Sequence, residues 1–281
     1  MNLRSLTFDV RFSTVSVSPE LIAFDIDGTL LRSDGSLSPR VRQAVREMKN
    51  RGCIIALATG RPWKAVTETL ESLGVVDYCV CLNGASVHKG DGKAVKFNSM
   101  TETQTRASAQ LARRLIPGVG LAADMADGRH VWDEHFTHDF PADFSMTPVR
   151  VPDALVALDG PVLTWLLDCK EIAPMKAIEL MSPQMPDGTE VRPSGLETPE
   201  IVASGVSKGS GLDVIAAMSS IDASKAWVFG DGLNDIEMFL WAGHSVAMKN
   251  GHPKVLSIAG DIAPSHDQDG VAVVLERLIL D

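Results

Sequence analysis

Four apolar residues in a row, Leu21-Ile22-Ala23-Phe24, run directly into Asp25-Ile26-Asp27-Gly28-Thr29. No other junction constrains the chain as much. A strand that is apolar on both faces has to be covered on both faces, which is the situation in parallel sheets layered between helices. Gly28 then lets the chain turn. Ligands of open α/β sheets bind beyond the carboxyl ends of such strands, so the acids sit at the ligand-binding edge. Further apolar runs behave alike: Cys53 to Ala58 ends at Thr59-Gly60-Arg61-Pro62, Tyr78 to Leu82 at Asn83-Gly84, and Trp227-Val228-Phe229 at Gly230-Asp231-Gly232. The expected fold is α/β, built on a doubly wound parallel sheet.

Phosphate chemistry suits what these ends carry. If the first strand persisted, Asp25 and Asp27 would share a face and hold a hard cation such as Mg²⁺ between oxygen ligands. A carboxylate is also a competent nucleophile toward phosphorus once the phosphoryl charge is neutralised. A second acid can then move the proton. A bare D-x-D by itself is more simply two acids that cap a turn, so the flanking residues have to decide. Thr59 and the free amide of Gly60, before a helix starting near Pro62, would bond phosphate oxygens, or Thr59 is only a helix cap and Arg61 a surface charge. Lys208 opens a helix, where the helix dipole disfavours a cation. Asp231, Asn234 and Asp235 form a dense polar cluster after the fourth run, more than one Asx turn requires.

In chain order, D-I-D-G-T-L-L, A-T-G-R, S-K-G and G-D-G-L-N-D-I-E-M resemble the four motifs of the haloacid dehalogenase superfamily. With Asn83-Gly84-Ala85 before a long insert, they resemble its Cof-type phosphatases, and the likeness runs from about residue 20 to the C-terminus. It implies a Rossmann-like core with an inserted α/β cap, Mg²⁺ as cofactor and hydrolysis of a small phosphorylated metabolite through an aspartyl-phosphate. By the same resemblance, Asp25 attacks phosphorus, while Asp27 protonates the leaving oxygen and later activates water. Lys208 contacts both nucleophile and phosphate. Asp25, Asp27 through its backbone carbonyl, and Asp231 hold the metal, with Asp235 ligating it directly or holding a metal-bound water. Thr59, Gly60, Lys208 and Asn234 orient the phosphoryl group, Asn234 bonding either phosphate or metal water. A phosphomutase of the same superfamily and a non-catalytic phosphate-binding regulator remain alternatives. A receiver domain would be shorter and lack the insert.

The βα rhythm fails for about a hundred residues after Asn83. The expected division is therefore a catalytic core of residues 20–85 and 190–281, a cap of residues 86–189, and an extension of residues 1–19 that is either an added strand or an arm. Within the cap, Asp124, Arg129, His130 and Glu134 are the polar candidates for choosing the substrate. His130, His135 and His138 lack metal-ligand spacing. The four cysteines sit in apolar surroundings and read as buried thiols. A net charge of −10 argues against a nucleic-acid groove. There is no run long enough to span a membrane and no convincing secretory signal, so a cytoplasmic protein is expected. The sequence does not set the oligomeric state.

Overall fold

The protein is described by a computed structural model that covers residues 18–140 and 146–280. The expectation for the N-terminal extension falls mostly on residues 1–17, outside the described part. In chain order the strands are β1 (Leu21–Phe24), β2 (Ile54–Ala58), β3 (Tyr78–Cys81), β4 (Ser86–Lys89), β5 (Ala94–Phe97), β6 (Gly120–Met125) and β7 (His130–Asp133). They continue with β8 (Val149–Val151), β9 (Val162–Asp168), β10 (Thr189–Pro193), β11 (Pro199–Ala203), β12 (Ala226–Gly230), β13 (His244–Met248) and β14 (Asp261–Ala263). The helices are α1 (Pro39–Asn50), α2 (Thr67–Leu73), α3 (Glu102–Leu115), α4 (Ala154–Ala157), α5 (Pro174–Met181), α6 (Lys208–Ser219), α7 (Ile236–Trp241), α8 (Pro253–Ile258) and α9 (Gly270–Leu280).

Two sheets organise these elements. The core sheet runs β14-β13-β12-β1-β2-β3-β4-β5, parallel except at β3–β4 and β4–β5. Its central strand β1 is fully buried along its length, as an uninterrupted apolar run requires, and pairs in parallel with β12 and β2. One face carries Ile22, Phe24, Ile55 and Phe229 against α1 and α9; the other carries Ala23, Ala56 and Val228 against Leu212 and Ile215 of α6. The doubly wound α/β core is thus as expected.

The second sheet runs β10-β11-β9-β6-β7-β8, and it corrects the expected boundaries. The hairpin β4–β5 was expected in the cap, but it bonds to β3 and extends the core sheet, because β3 still has an open edge that β4 covers in antiparallel register. Strands β10 and β11, expected in the core from residue 190, pair with β9 of the cap. The chain crosses between the sheets after Phe97 and again after Ala203. Beyond β8, which pairs with β7, the chain makes only the short α4, capped by Asp153, before β9.

The alternation along β6 gives the cap sheet two different faces. Leu121, Ala123 and Met125 pack with the residues of α3 and α5. Ala122 and Asp124 point the other way, in register with Trp132 and His130 on β7 and with Leu166 and Thr164 on β9. Glu200 is the β11 partner of Leu166 and bonds Asn83 of the core, so this second face is turned toward the core strand tips.

Candidate active site

The site is assembled where β1, β2, β3 and β12 end. The first correction is local. β1 stops at Phe24, and residues 26–30 coil into a wide turn around Gly28, whose φ is +78°. Asp25 and Asp27 therefore do not share a face. Asp25 is buried, while Asp27 keeps its carboxylate half exposed and receives Arg61 on both oxygens, Nε at 2.8 Å and Nη2 at 2.6 Å. Such a two-pronged pair fixes orientation as well as charge. Arg61 is itself buried, not a surface charge. Gly28 is required for space too, since a Cβ there would lie 2.4 Å from Asp231 Oδ2.

Lys208 is fully buried, with its ammonium 2.8 Å from Asp25 Oδ1 and 2.6 Å from Asp235 Oδ1. Burial works to lower this ammonium, but the Asp235 and Asp25 charges overcome it and hold it above its ordinary value. That explains a lysine at a helix start: two acids offset the dipole. Asp235 is also the brace of the loop after β12. Its Oδ2 accepts the amides of Asp231 and Gly232, each at 2.8 Å. Thr29 donates to Asp231 Oδ1 at 2.8 Å.

Oxygens of Asp25, Asp231 and Asp235 lie within 4.8 Å of one another, the only such metal-ligand grouping among the described residues. Three carboxylates face one buried ammonium, leaving an excess of negative charge. Burial first, and the neighbouring acids with it, push the Asp25 carboxyl well above its usual range despite Lys208. Asp231 is pushed up to about 6 by burial and by the charge of Asp235. This all-oxygen set suits a small hard divalent cation such as Mg²⁺. The Asp27 carboxylate lies outside the group, so the side chain committed to Arg61 leaves only its carbonyl for a metal. Asp235 already takes three donors, which favours a bracing role over direct ligation.

Thr59 is buried; its Oγ1 accepts the Arg61 amide at 3.1 Å in a local turn and caps no helix, since Pro62 stands at the N-cap of the helical turn that follows, and the hydroxyl keeps its own hydrogen to donate. Gly60 lies against the turn between β10 and β11: a Cβ there would meet Ser194 O at 2.9 Å. Asn234 donates Nδ2 to Asn83 Oδ1 at 2.9 Å and to Ser194 O at 3.3 Å. Asn83 and Glu200 were not foreseen as site residues. Asn83 holds φ at +50°, a conformation asparagine tolerates better than most, and donates Nδ2 to Glu200 Oε1 at 3.0 Å. Beside Asp27 and Arg61 opens a cleft of about 660 Å³, lined also by Arg32, Ser33, Ser72 and His266.

The cap candidates separate into two groups. Asp124 and His130 are buried on the core-facing side, His130 Nδ1 being 2.5 Å from Asp124 Oδ1. Arg129 instead pairs with Asp127 and Asp159 on the surface, and Glu134 is exposed. Trp132 packs with Phe136 and Phe140, as a core residue would. The cysteines are free; Cys53, Cys79 and Cys81 are buried and Cys169 partly so.

Residues 22–275 match the family of haloacid dehalogenase-like hydrolases. The chain belongs to that family. It is 28% identical over 268 residues to the 5-amino-6-(5-phospho-D-ribitylamino)uracil phosphatase of Bacillus subtilis, covering 94% of this chain and 98% of that protein. It is 25% identical to an HMP-PP phosphatase of Serratia proteamaculans, over 85% of this chain and 86% of that one. A solved structure from Streptococcus mutans superposes with a TM-score of 0.83 at 20% identity, covering 94% of this chain and all of that chain. A sugar phosphatase of HAD subclass IIB gives 0.78 at 23% identity, over 93% of this chain and 100% of the other. The fold is that of these capped hydrolases, and the protein is an enzyme of the phosphatase kind. No helix among the described residues is long and apolar enough to cross a membrane.

Proposed function

We propose that this haloacid dehalogenase-like enzyme hydrolyses phosphate monoesters of small metabolites with Asp25 as nucleophile. The observation that carries this reading is the buried Asp25–Lys208–Asp235 chain, with Asp231 beside it, at one end of the core sheet. Asp25, Asp231 and the Asp27 carbonyl would hold Mg²⁺, which when bound supplies charge neutralisation at the phosphoryl oxygens. Lys208 aims Asp25 and, together with bound Mg²⁺, favours its ionised form against the burial that raises it, and the remaining ammonium hydrogen would serve a phosphoryl oxygen. Thr59 Oγ1 and the Gly60 amide offer neutral donors to the same group. Attack by Asp25 would form an aspartyl-phosphate and release the leaving oxygen, to which Asp27 delivers a proton while Arg61 fixes its carboxyl. Asp27 would then take a proton from the attacking water.

The phosphoryl group is common to all substrates, so selection falls to the rest of the molecule. On the core-facing side of the cap, His130 and Asp124 form a fixed polar pair, and the Oγ1 of neighbouring Thr164 is buried without a partner. These suit a hydroxylated leaving group such as a sugar or polyol phosphate, in keeping with the substrates named for two of the relatives. The test is phosphate release from a panel of sugar, polyol, nucleotide and vitamin phosphates, with Mg²⁺ and with excess chelator. Free phosphate that appears only with Mg²⁺ supports the reading. Interconversion of phosphate isomers without release would favour the phosphomutase alternative instead.

A further inference from the structure

The core-facing side of the cap carries one more charged residue, Glu200, which is 2% exposed and makes no bond to the acid cluster. Its carboxylate accepts Arg192 Nε at 2.8 Å and Asn83 Nδ2 at 3.0 and 3.1 Å. Arg192 in turn donates Nη2 to the Asn83 carbonyl at 3.0 Å and Nη1 to the Val206 carbonyl. Two cap strands, β10 and β11, thereby grip one core residue by both its side chain and its main chain.

An asparagine amide has a donor end and an acceptor end, and its partners decide which way round it sits. Glu200, as a carboxylate, only accepts, and so does the Ser194 carbonyl, which takes the same Asn83 Nδ2 at 2.8 Å, so Asn83 must turn Nδ2 toward both. Asn83 Oδ1 is then left facing Asn234, which can meet it only with its own Nδ2. That nitrogen's second hydrogen goes to Ser194 O. Asn234 is left with one open polar atom, Oδ1, which only accepts. A phosphoryl oxygen also only accepts, so the two would not bond in this orientation; a water or hydroxyl hydrogen would. The expectation that Asn234 bonds phosphate is set aside here in favour of its water-binding alternative.

We propose that Glu200 is a positioning residue: together with the Ser194 carbonyl, and through Asn83, it fixes the polarity of the Asn234 amide at the phosphoryl site. The proposal rests on the phosphatase reading above. It links the cap to the chemistry by a route other than substrate contact, so its effect appears even with a small aryl phosphate whose leaving group asks little of the cap.

Glu200→Gln is the test. Oε1 accepts both Arg192 Nε and Asn83 Nδ2, so the new amide keeps those contacts on its oxygen, while its nitrogen puts a donor in place of the acceptor 3.1 Å from Asn83 Nδ2, pushes Asn83 off its line to Asn234 and breaks the relay. Substitutions that shift an aligned group by about 1 Å can cost about 10²-fold, and a loss of this order in kcat is expected, with KM little changed, read well below a Tm that falls because one partner of the buried Arg192–Glu200 pair is neutralised. Asn83→Ala should lose about as much, and the double variant no more than Asn83→Ala alone, because both act on one unit. Losses that multiply in the double variant, or an unchanged kcat in Glu200→Gln, overturn the proposal. An independent readout is the side-chain amide NMR signals. In Glu200→Gln both the Asn83 and Asn234 signals should move, and movement of Asn83 alone refutes the relay. Should Glu200→Gln not fold, Asn83→Ala, which leaves the Arg192–Glu200 pair intact, must still shift the Asn234 signal. A wild-type enzyme that turns over no phosphate ester overturns the phosphatase reading, and the amide signals still decide the relay.

Discussion

Replacing Lys208 by methionine keeps the length of the side chain and removes the one buried cation of the acid cluster. The ammonium lies 2.8 Å from Asp25 and 2.6 Å from Asp235 with no exposure to solvent, so no water can take its place without rearrangement. Breaking a buried pair by removing one partner costs about 3–5 kcal/mol. In a chain of this size each kcal/mol moves Tm by about 2–4 °C, so a fall of about 6–20 °C is expected at pH 8 in chelator. The pH dependence has a definite sign. Lys208 is the group that lowers the Asp25 carboxyl, so its loss lets that carboxyl rise further. An acid raised in the folded state holds a proton that the unfolded chain has already released, and stability then falls as pH rises between the two pKa values. The deficit of Lys208→Met should be full at pH 8, shrink toward pH 5, and be partly repaired by Mg²⁺ at either pH. Turnover should fall by at least about 10²–10³-fold. Denaturant titrations of both proteins at the two pH values, with and without Mg²⁺, give the comparison. A variant as stable as wild type at pH 8 in chelator, or one whose deficit grows toward pH 5, would refute the electrostatic account of the cluster.

Three further outcomes follow from the same geometry. Because burial and Asp235 push Asp231 to about 6, Asp231→Asn should raise the metal-free Tm above wild type at pH 7.5, by less at pH 5 and not at all near pH 4, while weakening Mg²⁺ binding measured by calorimetry; equal Tm at pH 7.5 and pH 5 would contradict the shift. Arg61→Met should slow hydrolysis of an alkyl phosphate about tenfold more than that of nitrophenyl phosphate, whose leaving group needs little protonation, and equal losses would deny that Arg61 acts through Asp27. Asp124→Ala and His130→Ala should lower kcat/KM for the preferred metabolite by about tenfold, the scale of one lost polar contact, and leave the aryl ester nearly unchanged; a loss shared by both substrates would remove the pair from substrate selection.

Much of this was legible in the sequence because the strand tips announce themselves. An apolar run that stops at a carboxylate needs no tertiary information, and β1 with Asp25, β2 with Thr59 and β12 with Asp231 all fall where the runs break. The helix-opening Lys208 was marked by its conflict with the dipole, and its two acid partners resolve that conflict. What stayed hidden depends on long-range pairing. Nothing local says that β4 adds to β3 and not to the cap, since a hairpin carries the same alternation whichever sheet takes its edge. Had the strand persisted past Phe24, Asp25 and Asp27 would share a face, but the Gly28 turn draws residues 26–30 out of line and gives Asp27 to Arg61. Arg61 and Asn83 stood in recognised motifs without a role, and Glu200 looked like an ordinary polar residue. Their partners are 34, 151 and 117 positions away, and only the folded chain brings them together.

The central claim is that Asp25 is phosphorylated during turnover. The direct measurement is mass spectrometry of the enzyme acid-quenched during steady-state hydrolysis with Mg²⁺, followed by digestion and sequencing of the peptide that contains Asp25. The account predicts one added phosphoryl group on Asp25, absent without substrate, together with loss of turnover and retained fold in Asp25→Asn. Unmodified Asp25 under conditions of full turnover, with Asp25→Asn still hydrolysing the ester near the wild-type rate, would contradict it.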